Sequence, residues 1–426
     1  MVIQETAVKL RDLKESGHAP TLFSAFMHFD ISFAVWVILG ALMPFIAKDL
    51  HLSIPAKMTL VAIPALSAGF WRILLGMLVD RYGAKPVGTI SMALTLLPLY
   101  AGWQLANSYY SLFYVAIFIG MAGASFAVAL PMASRWYPPK MQGIVMGIAG
   151  AGNSGTVLAT LFAPLLAKAY GWHAVLGLLM VPVTIALLLF ALLSKEPPAK
   201  RQPATLKSLG KLLTISDTWR FCMLYFVTFG GFVGMSLFFN TFFVDQYHIL
   251  PQNVGIYTAP FIIIGSLLRP VGGALADKAG GIRVLAWVYT LVIISAVLLT
   301  FTISSFALSA VLLFCMMFLL GAGNGAVFQL VPLRFPREIG IVTGIVGAAG
   351  GEGGFYLNMM MGHLYKLMHS YAAGFIAFAA IAVVALITLK FAARVWSSTL
   401  VVNAPEAQIN SGTSPVQPVP MPTTAG

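Results

Sequence analysis

Twelve apolar runs, each near the length a helix needs to cross about 30 Å of hydrocarbon, leave this 426-residue chain few folds to adopt. They fall near 22–47, 57–79, 86–106, 111–134, 142–167, 174–193, 219–244, 253–276, 283–303, 308–333, 340–365 and 371–393. Short breaks bearing charge, Pro or Gly separate them. The runs are too long for strands and lack the alternation of a membrane barrel, so their backbone polar groups must be satisfied inside helices. The expected fold is an all-α membrane protein. Composition agrees: 59% of residues are hydrophobic and 9% charged, against roughly 25% charged in a soluble domain. Cys222 and Cys315 supply neither a disulfide framework nor a metal-ligand spacing.

Charge placement sets the expected topology. With the N-terminus in the cytoplasm, 19 of the 25 Lys and Arg lie on that side, and only Lys48, Lys57, Lys168 and Lys366 lie opposite. Both termini are therefore expected inside. The mixed-charge segment before the first span ends in no small-residue cleavage site, so no cleaved signal peptide is expected. The net charge of +12 is scattered over short loops, which suits topology and not a nucleic-acid partner. The longest hydrophilic break divides the spans six and six. The expected organisation is a cytoplasmic segment 1–21, a six-helix bundle 22–193, a linker 194–218, a second bundle 219–396 and a disordered cytoplasmic tail 397–426.

The two halves are related in sequence. Arg72-Ile-Leu-Leu-Gly76-Met-Leu-Val-Asp80-Arg81-Tyr-Gly83 aligns with Arg269-Pro-Val-Gly-Gly273-Ala-Leu-Ala-Asp277-Lys278-Ala-Gly280 at an offset of 197. Gly143-Ile-Val-Met-Gly147-Ile-Ala-Gly150 and Gly340-Ile-Val-Thr-Gly344-Ile-Val-Gly347 repeat at the same offset. Parallel six-helix repeats joined by a cytoplasmic linker build one large transporter class, with a substrate site near the midplane. The G-x-x-x-D-[RK]-x-G element resembles the loop 2–3 signature of the major facilitator superfamily, although the chain continues with Ala84-Lys85 and Gly281-Ile282-Arg283 and not with two basic residues. Gly76 and Gly273 are expected to admit a neighbouring helix, and Asp80 and Asp277 to cap or attract a helix N-terminus.

Only Asp30, Arg72, Arg269 and Glu352 carry charge well inside a span, where each costs about 2.5–3.5 kcal/mol on insertion scales. Arg72 and Arg269 are repeat mates, so pseudo-symmetry should bring both to one central cavity. Two guanidinium groups there repel each other unless an anion lies between them, and their forks suit a planar oxyanion. The competing arrangement pairs Arg72 with Asp30 and Arg269 with Glu352 as a structural network. Glycines crowd spans 5 and 11 at Gly147, Gly150, Gly152, Gly344, Gly347, Gly350 and Gly351. Close packing is the commoner role for such glycines, yet matched clusters also mark these spans as candidates for moving, site-lining helices.

The two span arginines, Ala151-Gly-Asn-Ser-Gly155, Gly347-Ala-Ala-Gly-Gly351 and Tyr225-x3-Phe229-Gly230 together resemble the nitrate/nitrite porter family of that superfamily, over essentially all twelve spans. Glu352 departs from the family's pattern. The resemblance implies that Arg72 and Arg269 clamp the anion, that Asn153 and Tyr225 donate hydrogen bonds, and that Phe126 and Phe229 wall the site. Gln329 joins the candidates. For Asn153, Tyr225 and Gln329 plain interhelical hydrogen bonding is the alternative, and for Phe126 and Phe229 ordinary packing. Nitrate is planar, monovalent and weakly hydrated, so such a site can replace its hydration at smaller cost than that of sulfate or phosphate.

Bringing a monovalent anion into a negative interior costs about 2.3 kcal/mol per 100 mV, so uptake must be coupled. No Walker motif is present. The expectation leans to proton symport, with Asp30 and Glu352 as proton-coupling candidates; nitrate/nitrite antiport stays open, as does a carrier of oxalate, formate or a monocarboxylate. An enzyme is not expected, because the seven His are dispersed, and no cofactor or metal is called for. The expected partners are nitrate, nitrite, protons and the lipid bilayer of the cytoplasmic membrane, with one chain acting as a monomer.

Overall fold

The computed structural model describes residues 15–137, 145, 148–196, 206–335 and 339–400. Gly147 of the first glycine run lies outside the described residues. Everything regular among the described residues is helical. In chain order the helices are α1 (Ala19–Asp49), α2 (Ile54–Tyr82), α3 (Ala84–Gln104), α4 (Tyr109–Ile119), α5 (Phe126–Ser134), α6 (Gly155–Tyr170), α7 (Trp172–Leu193), α8 (Leu206–Leu213), α9 (Ser216–Tyr247), α10 (Val254–Ala279), α11 (Gly281–Thr302), α12 (Phe306–Arg334), α13 (Ile339–Met368) and α14 (Ala372–Leu400). The helix α14 runs four residues into the segment expected as tail, and α8 forms within the expected linker.

Among the described residues ten helical segments are long and apolar enough to cross a membrane. The remaining two long helices, α3 and α13, are diluted by Lys85 with Thr, Ser and Pro in one and by glycines with Glu352 in the other. Two spans are not continuous α-helix. The fourth breaks at a 3-10 turn, Ala122–Ala124, between α4 and α5, and the fifth passes through a 3-10 turn, Ala151–Ser154, into α6. Tighter 3-10 geometry leaves carbonyls unused by the α ladder.

The internal repeat is visible in the backbone. Gly83 between α2 and α3 and Gly280 between α10 and α11 are mates at the offset of 197, with φ of 103° and 87°. Each is the sole residue between two helices, and that conformation is open to glycine at little cost. The helices α1 and α9, also mates, are buried along almost their whole length. In the first half α1 packs on α6 and α7, and α3 on α7; in the second α9 packs on α13, α10 on α12, and α11 on α14. The halves meet where α2 crosses α13, α6 crosses α10 and α1 touches α9.

Hydrophobic burial does not drive helices together in lipid, so close backbone approach must. At the face remote from the chain termini this approach is complete. A Cβ on Gly255 would overlap the Thr160 carbonyl, and one on Gly362 would meet Met58 at 2.6 Å. Asn240 donates to the Ala41 carbonyl (3.2 Å), and Lys57 reaches both carboxylate oxygens of Asp245 at 2.9 Å. Nearer the chain ends Gly76, Gly150 and Gly344 have open space where a Cβ would stand.

Candidate functional site

Arg72 lies two-thirds along α2, 2% exposed. The break in the fourth span leaves the Gly123 carbonyl to accept Arg72 Nε at 3.1 Å, and Nη1 donates to the Gly347 carbonyl of α13 at 2.5 Å. One side chain from the first half thus touches the second. The guanidinium lies over Trp36 (5.1 Å) and Phe229 (5.3 Å), and its buried Nη2 has no protein partner. Arg269, half-buried on α10, lies over Phe126 (5.9 Å) and Phe328 (5.3 Å). Between the arginines stands Tyr225, 1% exposed, stacked on Phe229 at 4.9 Å and edge-on to Phe328 at 4.9 Å. Its hydroxyl hydrogen-bonds with Arg269 and feels the charge of both arginines. An aromatic bridge therefore links two cations, one from each half, and aromatic faces offset part of the desolvation of each.

Asn153 sits in the 3-10 turn at the head of α6, 3% exposed, its Oδ1 without a partner. Gly347 leaves an opening whose nearest neighbour is Phe126 at 3.8 Å. Arg72, Arg269, Tyr225, Phe126 and Phe229 lie together, and Asn153 is buried in the turn that packs on α1 and α10. Gln329 is not with them: its Oε1 is turned against Gly281 at the start of α11, and Phe328, one residue earlier, faces the arginines. Adjacent helical positions point about 100° apart, so the preference for a polar side chain picked the wrong neighbour.

The charge-pairing alternative finds no support. Among the described residues neither Arg72 with Asp30 nor Arg269 with Glu352 forms an ion pair. Asp30, 5% exposed, accepts from Ser154 Oγ at 2.5 Å and from the Gly155 backbone N–H. Glu352 faces Gly69 where α13 crosses α2, and the charge it feels is that of Arg72.

Three other expectations need correction. Gly76 and Gly273 do not admit a helix: nothing lies within 4 Å of a Cβ on Gly76, and only the Gly325 carbonyl, at 3.8 Å, approaches Gly273. The close approach is made one residue earlier, where Gly272 meets the Ala322 backbone, because that face of α10 is the one turned to α12. Asp80 caps none of the described helices but pairs with Arg135 at the end of α5 (2.8 Å), and Asp277 is exposed. The glycine clusters split in role: Gly152 packs on Phe29, Gly350 on Tyr225 and Phe229, and Gly351 on the Ala65 carbonyl, whereas Gly150, Gly344 and Gly347 face space. Trp36 and Phe328 went unnoticed in the sequence, where each is one more aromatic in an apolar run.

Two related helical halves, each bringing one arginine to a shared aromatic cluster, define a polytopic membrane protein. The family model described as Major Facilitator Superfamily matches residues 24–357. A Bacillus subtilis protein named "Nitrite extrusion protein" is 34% identical over 354 residues, covering 82% of this chain and 88% of its own. The Thermus thermophilus "Probable nitrate/nitrite antiporter NarK1" is 31% identical, covering 79% and 83%. The crystal structure of a bacterial homologue of the human lysosomal transporter Spinster, inward-facing and occupied, superposes with a TM-score of 0.68 at 18% identity, covering 88% of this chain and 96% of that one. The chain belongs to the major facilitator superfamily and, within it, to the family of these nitrate and nitrite transporters.

Proposed function

We propose that this protein carries nitrate, and nitrite with it, across the cytoplasmic membrane by alternating access between its two bundles. The observation that carries the reading is the pair of guanidinium groups, one from each half, joined by Tyr225, with no carboxylate among the described residues in ion-pair contact with either. Arg72 Nη2 and Arg269 offer charge-assisted donors, Tyr225 and Asn153 add neutral ones, and Phe126, Phe229, Trp36 and Phe328 supply apolar walls. A small planar anion exchanges a loose hydration shell for these groups at little cost, whereas a divalent anion loses far more. Because each half contributes one arginine, an anion held by both favours approach of the halves, and that is the step an alternating-access cycle needs.

In this reading the termini face lies in the cytoplasm, supported by the bias of basic residues. One chain holds both arginines and forms a complete unit. Uptake against the membrane potential is coupled to protons in this reading. Nitrate/nitrite exchange is the second reading, favoured by the names of the two relatives and by the absence of any net charge movement when monovalent anions swap. Counterflow of labelled nitrate in proteoliposomes tests both, with and without internal nitrite and an imposed pH gradient. Uptake driven by the gradient supports symport; exchange indifferent to it supports antiport. Arg72→Lys and Arg269→Lys each keep the charge but lose the fork, and each is expected to weaken nitrate binding by about 10–150-fold, from about 1.5–3 kcal/mol per charge-assisted contact. Lysine variants that bind as the wild type does would refute the clamp.

A further inference from the structure

We propose that Asp30 is the proton-binding group linked to anion occupancy, and that Ser154 and the turn carrying Asn153 transmit the linkage. The inference rests on the transport reading above and names which group of that site takes the proton.

Asp30 is a 5% exposed carboxylate in the middle of α1 that has no cation partner among the described residues. Its partners are two donors from one short stretch of the fifth span, the Ser154 hydroxyl at 2.5 Å and the Gly155 N–H. The titratable groups on the elements around α1 are engaged elsewhere or remote. Arg72 of α2 donates to the Gly123 and Gly347 carbonyls and forms no ion pair with Asp30 among the described residues, and Arg135 beyond α5 pairs with Asp80. Lys85 of α3 donates to the Ser194 carbonyl, and Lys168 closes the last turn of α6. Tyr225 of α9 hydrogen-bonds with Arg269. On α1 itself His28 points to the Gly88 carbonyl and lies against Phe190, and residues two apart on a helix do not face each other.

Helix packing does not demand a carboxylate here. At the offset of 197 the mate of Asp30 is Val227, which fills the same place in α9 fully buried. The acid is thus an addition to one half of a pseudo-symmetric frame. Its hydrogen bond also has a direction that depends on the proton. Ionised, Asp30 can only accept, so Ser154 must donate; protonated, it can donate, so the direction of the bond to Ser154 can reverse. Ser154 ends the Ala151–Ser154 turn, a 3-10 segment held by weaker bonds than the helix that follows. The preceding residue is Asn153, whose amide oxygen has no protein partner. Proton binding at Asp30 and anion binding at the Asn153 amide NH2 would act on the same few backbone bonds, and linkage makes their coupling reciprocal; neutralising the carboxylate beside the site makes that coupling favourable. Glu352 lies against Gly69 where α13 crosses α2 and feels the charge of Arg72, so any effect of its proton on anion binding would run through that arginine and not through the turn.

The test is nitrate binding to the purified full-length chain, measured by calorimetry from acidic to alkaline pH. For one linked proton the dissociation constant of the wild type should rise by up to about tenfold per pH unit above the group's titration. Asp30→Asn should still bind nitrate but without that slope, Asp30→Glu should restore it, and Ser154→Ala should move its midpoint. A wild-type slope in Asp30→Asn, its loss in Glu352→Gln, or a flat wild-type profile would each overturn the proposal while leaving the anion site intact. Absence of nitrate binding by the wild type at every pH would remove the transport reading and this inference together.

Discussion

Asp245 of α9 closes the remote face by holding Lys57 of α2 through both carboxylate oxygens at 2.9 Å, and it accepts a third bond from the Tyr371 hydroxyl at 3.1 Å. Lys57 and Tyr371 belong to different halves, so the carboxylate is a latch between them, and outward opening must break the Lys57 bond. The side chains of Lys57 and Asp245 are 14% and 18% exposed. That places the pair between exposed bridges, worth about 0–1 kcal/mol, and fully buried ones, whose breakage costs about 3–5 kcal/mol. Lys57 stands at a helix end and can reach water once released, so the lower part of that interval applies. Asp245→Asn should therefore shift the balance toward the outward-open form by about 1–2 kcal/mol, or about 5–30-fold. The assay is maleimide labelling of a cysteine at Thr160, 2% exposed on the seam with Gly255, in a background without Cys222 and Cys315. When opening is fast relative to labelling, the rate follows the open population, so it should rise by the same factor. The charge-swapped pair Lys57→Asp with Asp245→Lys should return it toward the starting value. An unchanged rate in Asp245→Asn would show that the latch contributes nothing to closure.

Further outcomes follow from contacts elsewhere in the fold. Asp217 at the head of α9 accepts from Arg220 (2.6 Å), Arg334 (2.5 Å) and the Trp396 indole (3.0 Å), so Asp217→Asn should lower stability by about 2–4 kcal/mol, read as a fall in Tm in detergent. A Cβ on Gly350 would stand 2.7 Å from Tyr225 and 2.8 Å from Phe229; Gly350→Ala should cost about 1–3 kcal/mol by overpacking and weaken nitrate binding in calorimetry through displacement of Tyr225. His18 caps α1 by accepting from the Thr21 N–H at 3.2 Å, which needs an unprotonated Nδ1. Burial, and then the nearby Lys195, hold its pKa below the ordinary histidine value. The cap is present at neutral pH and lost as pH falls through that lowered value, so His18→Ala should cost about 1 kcal/mol at neutral pH and less in acid, as thermal melts at both pH values would reveal.

Span number, the repeat and the arginine pair were legible because each is carried by local or periodic information. About 20 apolar residues dictate a spanning helix whatever surrounds them, and an identical offset in two motifs forces equivalent placement, so Arg72 and Arg269 could be matched before any coordinates. Helix phase was not legible in a chain where nearly every position is apolar. Amphipathic periodicity separates core from solvent in a soluble helix, but in lipid both faces are greasy, and so Phe328 could not be told from Gln329, nor Gly272 from Gly273.

Sequence alone determined that this chain must cross a membrane many times as two related halves with one permanent cation in each, since hydropathy and repetition are properties of the linear order. Tertiary structure decided which face of each helix meets which neighbour: that Arg72 reaches across to the Gly347 carbonyl, that Trp36 and Phe328 complete the aromatic frame, that Asp30 is held by a serine and no arginine, and that Lys57 meets Asp245. These pairings join residues far apart in the chain, and in a solvent that rewards no particular apolar face they are set by steric fit between helices, which composition does not encode.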